Sequence, residues 1–562
     1  MREILGMLVC LNFWIPFAEA GLQNGVPANA GIGQTGSSPA TEQVDLQGAS
    51  FPGVMNLSLQ EAVRLALENN PTLKVEKIRV EQARSRINQQ KGEFDPLFNS
   101  GSVLSHKDNI VASRFYPTGL YSEKQKAQTL GVETKTRTGG RVNLSLNYAD
   151  LRSNSNIQTL SPQYSANLSF GVTQSLLRDF GRGIAETRLR VAEKGAAIVE
   201  NNLFSRISQL IQRVEETYWN LTFLLQDLDG KLRSLASARQ FLTQNENLLR
   251  AGRVAPVSVL QARAAVAERE RDVVTSQTAA DEYKDRLKNL LWLDLNTTDL
   301  TPVDSPDLIP VDLSADRSLQ DALLRRPELR ALQQEQEQRA IEVKYAANQI
   351  RPRLDLNVQF SLAGLSGKPN LTCLDPTSSI CVPVGSNIAG SVLEGRTAVG
   401  DSLANLWSAH PYESWSVEVK FQLPIGNKTA KAQYSEASLR QLETNTNLVA
   451  MRDQVAIEIR NAIREAHASQ KRIEASREAL TYLENQLAGM RRQLEAGLMS
   501  SYDVLQAFEE VDKARTTELQ AMMDFHVALS KVRLAEASGF QRYSIELVQP
   551  PRYTFDQPGI IK

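Results

Sequence analysis

Side chains able to do covalent or metal chemistry are few and scattered along this chain. Its four histidines, His106, His410, His467 and His526, fall in no ligand spacing. The sequence carries no HExxH pair, no Gly-rich phosphate loop and no nucleophile elbow. Cys10 lies in an apolar stretch at the N-terminus, whereas Cys373 and Cys381 share the turn-rich segment TCLDPTSSIC. With no histidine close by, that pair reads as a local disulfide stapling a loop, in preference to a metal pair or two free thiols. Nothing here resembles a catalytic site, so no enzyme activity, metal or cofactor is expected. Function must then lie in how the elements are arranged.

Composition narrows the choice. The chain has 562 residues and a formal net charge of −1, which gives no electrostatic case for nucleic acid. Beyond the N-terminus no stretch approaches the ~18 apolar residues of a membrane-spanning helix. The N-terminus itself has Arg2, then the apolar run ILGMLVCLNFWIPF, then Ala18-Glu19-Ala20. That pattern reads as a secretory signal over residues 1–20, in preference to a buried N-terminal helix, and export suits the disulfide. Residues 21–56, rich in Gly, Ala, Ser, Pro, Asn and Gln, read as a flexible leader.

From Ser58 an amphipathic helix begins, with Ser58 or Asn56 as its cap. It is interrupted by Pro71 and continues to about Gly92. Its opening, SLQEAVRLALENNPTL, recurs from Ser318 as SLQDALLRRPEL, about one helical turn shorter before the proline. A second echo lies further on: AGRVAPVSVLQAR starts at Ala251 and AGLMSSYDVLQAF at Ala496, 245 positions later. Two echoes in the same order indicate an internal duplication, and the period is far too long for a solenoid. The halves span residues 57–312 and 313–540, with a tail over 541–562.

Each half changes period part-way. Leu354, Leu356, Val358, Phe360 and Leu362 alternate with polar residues, as do Trp415, Val417, Val419, Phe421 and Leu423. Val142, Leu144, Leu146 and Tyr148 do the same in the first half, and so do Leu168, Phe170 and Val172. Such strands meet two different solvents. A soluble sandwich would also alternate, but a secretory signal without spanning helices favours a membrane barrel. From Asn427 to Ala488 the chain then has neither Gly nor Pro, and residues 184–251 match it apart from Gly195 and Gly230. Helices this long must lie along one another. Each ends at the repeated Ala-Gly bend, and a shorter helical run returns over 257–295 and 503–538. The bend is therefore a hairpin tip.

Taken together, the chain resembles the TolC family of outer-membrane factors. The resemblance runs from about residue 57 to 540. It rests on LSLQEAVRLALENNPTL, SFGVTQSLLRDFGR, VKFQLPIGNKTAKAQYSEASL and the two tips, NLLRAGRVAPVSVLQARAAV and RRQLEAGLMSSYDVLQAFEEVDKAR. It implies an α+β membrane protein: a homotrimer with about four strands per chain in one transmembrane β-barrel, continuous with a long periplasmic α-helical barrel. Its partners would be outer-membrane lipid, a periplasmic adaptor and an inner-membrane transporter, with passive export of drug, metal or protein as the function. Gly252, Arg253, Val254, Gly497, Leu498 and Met499 would meet the adaptor. Asp503 matches the family's acidic aperture and would ring the pore, although the residue itself could equally be a helix N-cap.

The sequence departs from the family in two places. About fifty extra residues lie between the first-half strands, including Gly139-Gly140, enough for an added hairpin or a folded loop. At the aperture, Gln506 and Ser258 stand where further charge would be expected, and Met499 where an arginine would. The competing reading is a coiled-coil spacer of the periplasm or cell surface with no pore. Strands with one lipid-facing side would serve no purpose in such a spacer.

Overall fold

The computed structural model describes residues 53–112, 119–155, 158–295, 298–305, 314–373, 381–383, 399–407, 412–496 and 498–543. The expected signal lies outside these residues, as do Gly497 and residues 544–562. All of the described residues belong to one unit that begins at Ser50.

Strand β1 (Gly53–Leu57) opens the unit, so the last residues of the expected leader, from Gly53 to Asn56, are a strand. The short segment GVMNL gives little local signal, because its partner lies far along the chain. Helix α1 (Leu59–Asn69) follows, capped by Ser58, whose hydroxyl accepts from the Glu61 amide, and it buries Leu59, Ala62, Val63 and Ala66. The Asn70 side chain accepts from the amides of Thr72 and Leu73, starting α2 (Pro71–Lys91) with proline in its first turn, where no N–H is missed.

Four antiparallel strands come next: β2 (Leu97–Ile110), β3 (Leu120–Lys135), β4 (Gly140–Ser153) and β5 (Leu160–Ser175). The extra residues of the first half are therefore a β-hairpin, β2–β3. The chain then runs through α3 (Thr187–Arg250), α4 (Pro256–Leu291) and β6 (Thr298–Pro302), which pairs in parallel with β1. Gly195 and Gly230 do not interrupt α3, which is continuous for 64 residues.

The second half begins with α5 (Ala315–Arg325) and α6 (Pro327–Gln349). Helices α1 and α5 both have 11 residues and both end at a cap residue before a proline, so α5 is not a turn shorter. Counted from that proline the two helices align in length, whereas counted from the shared Ser-Leu-Gln they do not. Strand β7 (Arg353–Pro369) and the short ribbon β8 (Leu371–Cys373) and β9 (Cys381–Pro383) follow. A short helix, α7 (Val399–Ala404), precedes strand β10 (Tyr412–Gln422). Then come α8 (Lys428–Glu495, 68 residues) and α9 (Ser501–Glu536). The return helices α4 and α9 each have 36 residues. At 1.5 Å per residue, α3 and α8 are about 96 and 102 Å long.

The main sheet has six strands in the order β10-β7-β5-β4-β3-β2, against an expectation of about four. Helices α3, α4, α8 and α9 lie alongside one another as two hairpins. One core gathers Leu57, Val63, Leu210, Val214, Tyr218 and Leu287 where α1, α3 and α4 meet, and a second gathers Leu329, Val455, Ile459, Phe525 and Leu529 in the other half. Among the described residues no helix is long and apolar enough to cross a membrane.

Candidate channel wall and hairpin tips

The sheet register sorts side chains into rows that cross all six strands. One row reads Phe98, Val132, Leu144, Phe170, Phe360 and Trp415, apolar throughout. The next row, one residue along and hence on the opposite face, reads Asn99, Gly131, Ser145, Ser169, Ser361 and Ser414. Its serines bond across strands, Ser145 Oγ to Ser169 Oγ at 2.7 Å and Ser361 Oγ to Ser414 Oγ at 2.6 Å. One face thus suits hydrocarbon and the other water. The apolar face is bare on β10, where Trp415 is 74% exposed and Phe421 59%.

At the first tip, α3 ends on Ala251 and Gly252 turns left-handed at φ +70°. The Gly252 amide donates to the Leu249 carbonyl and the Arg253 amide to the Leu248 carbonyl, both at 2.9 Å. That is a Schellman closure, which a residue without Cβ makes without strain. At the second tip the Leu498 amide donates to the Gln493 carbonyl at 2.9 Å, the equivalent bond at the same 245-residue offset. Gly497 itself lies outside the described residues. Leu498 is 80% exposed, whereas Met499 packs against Leu487, Val504, Ala507 and Val511. Gly252 and Arg253 are exposed and Val254 is half-buried.

Asp503 is not the N-cap of α9, because Ser500 is. The Ser500 hydroxyl accepts from the Asp503 amide at 3.2 Å and donates to Asp503 Oδ2 at 2.6 Å, and the Ser500 amide donates to the same oxygen at 3.3 Å. This reciprocal box sets the Asp503 carboxylate at the third helical position, beside the positive end of the helix dipole. Gln506 is exposed and Ser258 half-buried. In the β8–β9 ribbon the backbones of Cys373 and Cys381 stand opposite each other, and residues 374–380 between them lie outside the described residues.

Residues 318–539 match the family of outer membrane efflux proteins. Solved structures share the fold. The Campylobacter jejuni CmeC outer membrane channel is 18% identical, with 96% of this chain and 98% of that one covered and a TM-score of 0.58. The outer-membrane channel OprN is 17% identical, with 91% and 99% covered and a TM-score of 0.60. The Neisseria gonorrhoeae MtrE outer membrane channel, in its open state, is 16% identical, with 86% and 89% covered and a TM-score of 0.56. No curated protein sequence matches the chain. The TolC-family resemblance holds. With it goes an outer-membrane location.

Two polar clusters of this TolC-like chain escape a reading of the sequence. On α3, Asp227 accepts from Ser276 of α4 at 3.0 Å and from Thr516 of α9 at 2.9 Å. One turn on, Lys231 donates to Thr516 at 3.4 Å, and Ser234 donates to Asp512. These bonds hold the two hairpins of one chain together. Nearer the sheet, the buried Glu215 of α3 pairs with Arg533 of α9 at 3.1 Å and accepts from the Tyr543 hydroxyl. Burial, with the Glu215 charge adding to it, pushes the Tyr543 hydroxyl well above the usual tyrosine range, so it stays a donor. Tyr218 donates to Asp304 at 2.7 Å, which in turn accepts from the Leu59 amide at 2.6 Å. Single Asp, Glu, Lys and Tyr residues inside long helices carry no local signal of such partners. Among the described residues no group of three or more His, Cys, Asp or Glu could hold a metal.

Proposed function

We propose that this chain is the outer-membrane duct of a three-part export machine. A homotrimer would line a pore with its strands and carry the conduit through its helical hairpins toward an adaptor and an inner-membrane transporter. The sheet is the observation that supports this best. Its two faces suit different solvents along β4, β5, β7 and β10, and among the described residues nothing pairs with either of its edges. Six strands are fewer than the eight of the smallest lipid-embedded barrels, and open edges in hydrocarbon leave backbone groups unsatisfied at several kcal/mol each. Copies must therefore close on one another. A coiled-coil spacer has no use for such a sheet.

The rest of the reading follows the resemblance. Gly252, Arg253, Val254, Gly497, Leu498 and Met499 present the hairpin tips to the adaptor, Asp503 contributes one carboxylate per chain to the aperture, and Cys373–Cys381 staple the β7–β10 connection. Matched lengths of α1 with α5 and α4 with α9 support two equivalent repeats. The cargo is set by the transporter. Native mass measurement in detergent, followed by conductance in planar bilayers, tests the duct. Three copies and a water-filled conductance are expected; a monomer or a non-conducting particle overturns the reading.

A further inference from the structure

We infer that the assembled barrel has eighteen strands, with β2 of each chain bonded to β10 of the next. The inference rests on the trimeric channel proposed above and deepens it. The edges of the sheet carry the argument. Strands β2 and β10 flank it with no partner on their outer sides among the described residues, and both are exposed along nearly their whole length. Neighbours in the sheet are antiparallel throughout, so with an even number of strands β2 runs opposite to β10. A β2–β10 joint between chains therefore continues the antiparallel pattern without a break.

The hairpin β2–β3 is a working part of this wall. Its register with β4 is unbroken from Glu123↔Ser153 to Lys135↔Arg141. Its base is fastened to the rest of the chain. Lys135 pairs with Glu93 at 2.7 Å, and the Gly181 amide donates to the Thr138 carbonyl at 3.0 Å. Both the apolar and the polar rows run through it to Phe98 and Asn99. The two edges also complement each other in size. β2 offers Ser100, Gly101 and Ser102, whereas β10 offers Trp415, Val417, Val419 and Phe421 with one flank bare. Strand β10 has no proline or bulge to blunt it, unlike edges that must remain free.

Size is consistent. Eighteen strands spaced ~4.8 Å and tilted ~40° give a circumference of about 113 Å. Four helices per chain (α2, α3, α6 and α8) adjoin the strands, and twelve helices at 8–10 Å spacing make a rim of about 96–120 Å. The two rims can meet without a step. Eighteen strands also leave an aqueous lumen, as in porins.

The test uses the full-length protein in outer-membrane vesicles. Ser416→Cys on β10 is combined in turn with Asn99→Cys, Gly101→Cys or Val103→Cys on the same face of β2, and separately with Asn143→Cys on β4. Each variant is oxidised and run on a denaturing gel, with single variants as controls for the native cysteines and native mass as the check on assembly. A trimer with an interchain disulfide from Ser416→Cys to a β2 position, and none to Asn143→Cys, is expected. A disulfide to Asn143→Cys instead would mean twelve strands with the hairpin outside the wall, and overturns the inference while leaving the duct. An intact trimer with no β2 link, or a closed dimer, also overturns it. A monomer overturns both.

Discussion

Glu215→Gln is the most informative single change to the helical body. The side chain is 2% exposed and faces Arg533, 18% exposed, at 3.1 Å, with the Tyr543 hydroxyl on its other oxygen. Glutamine keeps the volume and one acceptor but removes the charge. Arg533 is then a nearly buried cation without its counter-ion. Breaking one side of a buried pair costs about 3–5 kcal/mol. The residual exposure of Arg533 and the surviving amide oxygen move the expectation to the low end, about 3 kcal/mol. Urea unfolding of the detergent-solubilised protein, followed by helical circular dichroism, reads this as a lower midpoint at unchanged slope. The double variant Glu215→Gln/Arg533→Met removes the stranded cation and should recover about 2 kcal/mol of that loss. A single-variant cost below about 1 kcal/mol, or a double variant as poor as the sum of the singles, would refute the buried-pair argument.

Three further outcomes are expected. Asp503→Asn keeps an acceptor for the Ser500 amide, so α9 should start normally while bilayer recordings show weaker cation preference; unchanged selectivity would remove Asp503 from the aperture. Gly252→Val forces a β-branched residue to φ +70° where its Cβ meets nothing within 4 Å, so the cost is backbone strain of about 1–2 kcal/mol confined to the tip. Export should fail while the native mass stays that of the wild type, and normal export would make the tip a simple turn. Ala537, left-handed at φ +56° after α9, should gain about 1 kcal/mol as Ala537→Gly, read as a raised urea midpoint; a drop would show that the Ala537 side chain contributes more than its backbone costs.

Much of the fold was legible because its strongest signals are local. The long helices show as runs without Gly or Pro, and the repeated Ala-Gly bend places both tips to within a residue or two. Strands β4, β5, β7 and β10 show as strict alternation. Strands β2 and β3 did not, since Ser100 and Ser102 on β2, and Lys124, Lys126 and Gln128 on β3, occupy positions that a lipid-facing pattern would fill with apolar residues. Only the register with β4 joins that hairpin to the sheet. Strand β1 was missed for another reason: its partner β6 begins at Thr298, and a parallel pair so far apart leaves no periodic trace. At the second tip the sequence offers Asp503 as a cap, whereas the Ser500 hydroxyl three residues earlier holds that place. The clusters around Asp227 and Glu215 depend on which helices lie side by side, which no spacing within one helix encodes.

The length of the hairpins has a mechanical consequence. Helix α9 spans about 54 Å from the tip to its left-handed end at Ala537. An arm of that length turned through about 5° sweeps its free end along an arc of roughly 5 Å, with every backbone hydrogen bond of the 36-residue helix kept. Side-chain bonds tie this arm to the first hairpin at three levels: Arg269 with Glu509 nearer the tip, Asp227, Lys231 and Ser234 against Thr516 and Asp512 part-way along, and Glu215 with Arg533 near the far end. Exchanging the contacts nearer the tip for water would loosen the arm against the first hairpin, so the proposed conduit could change its bore through small rotations, leaving the secondary structure intact.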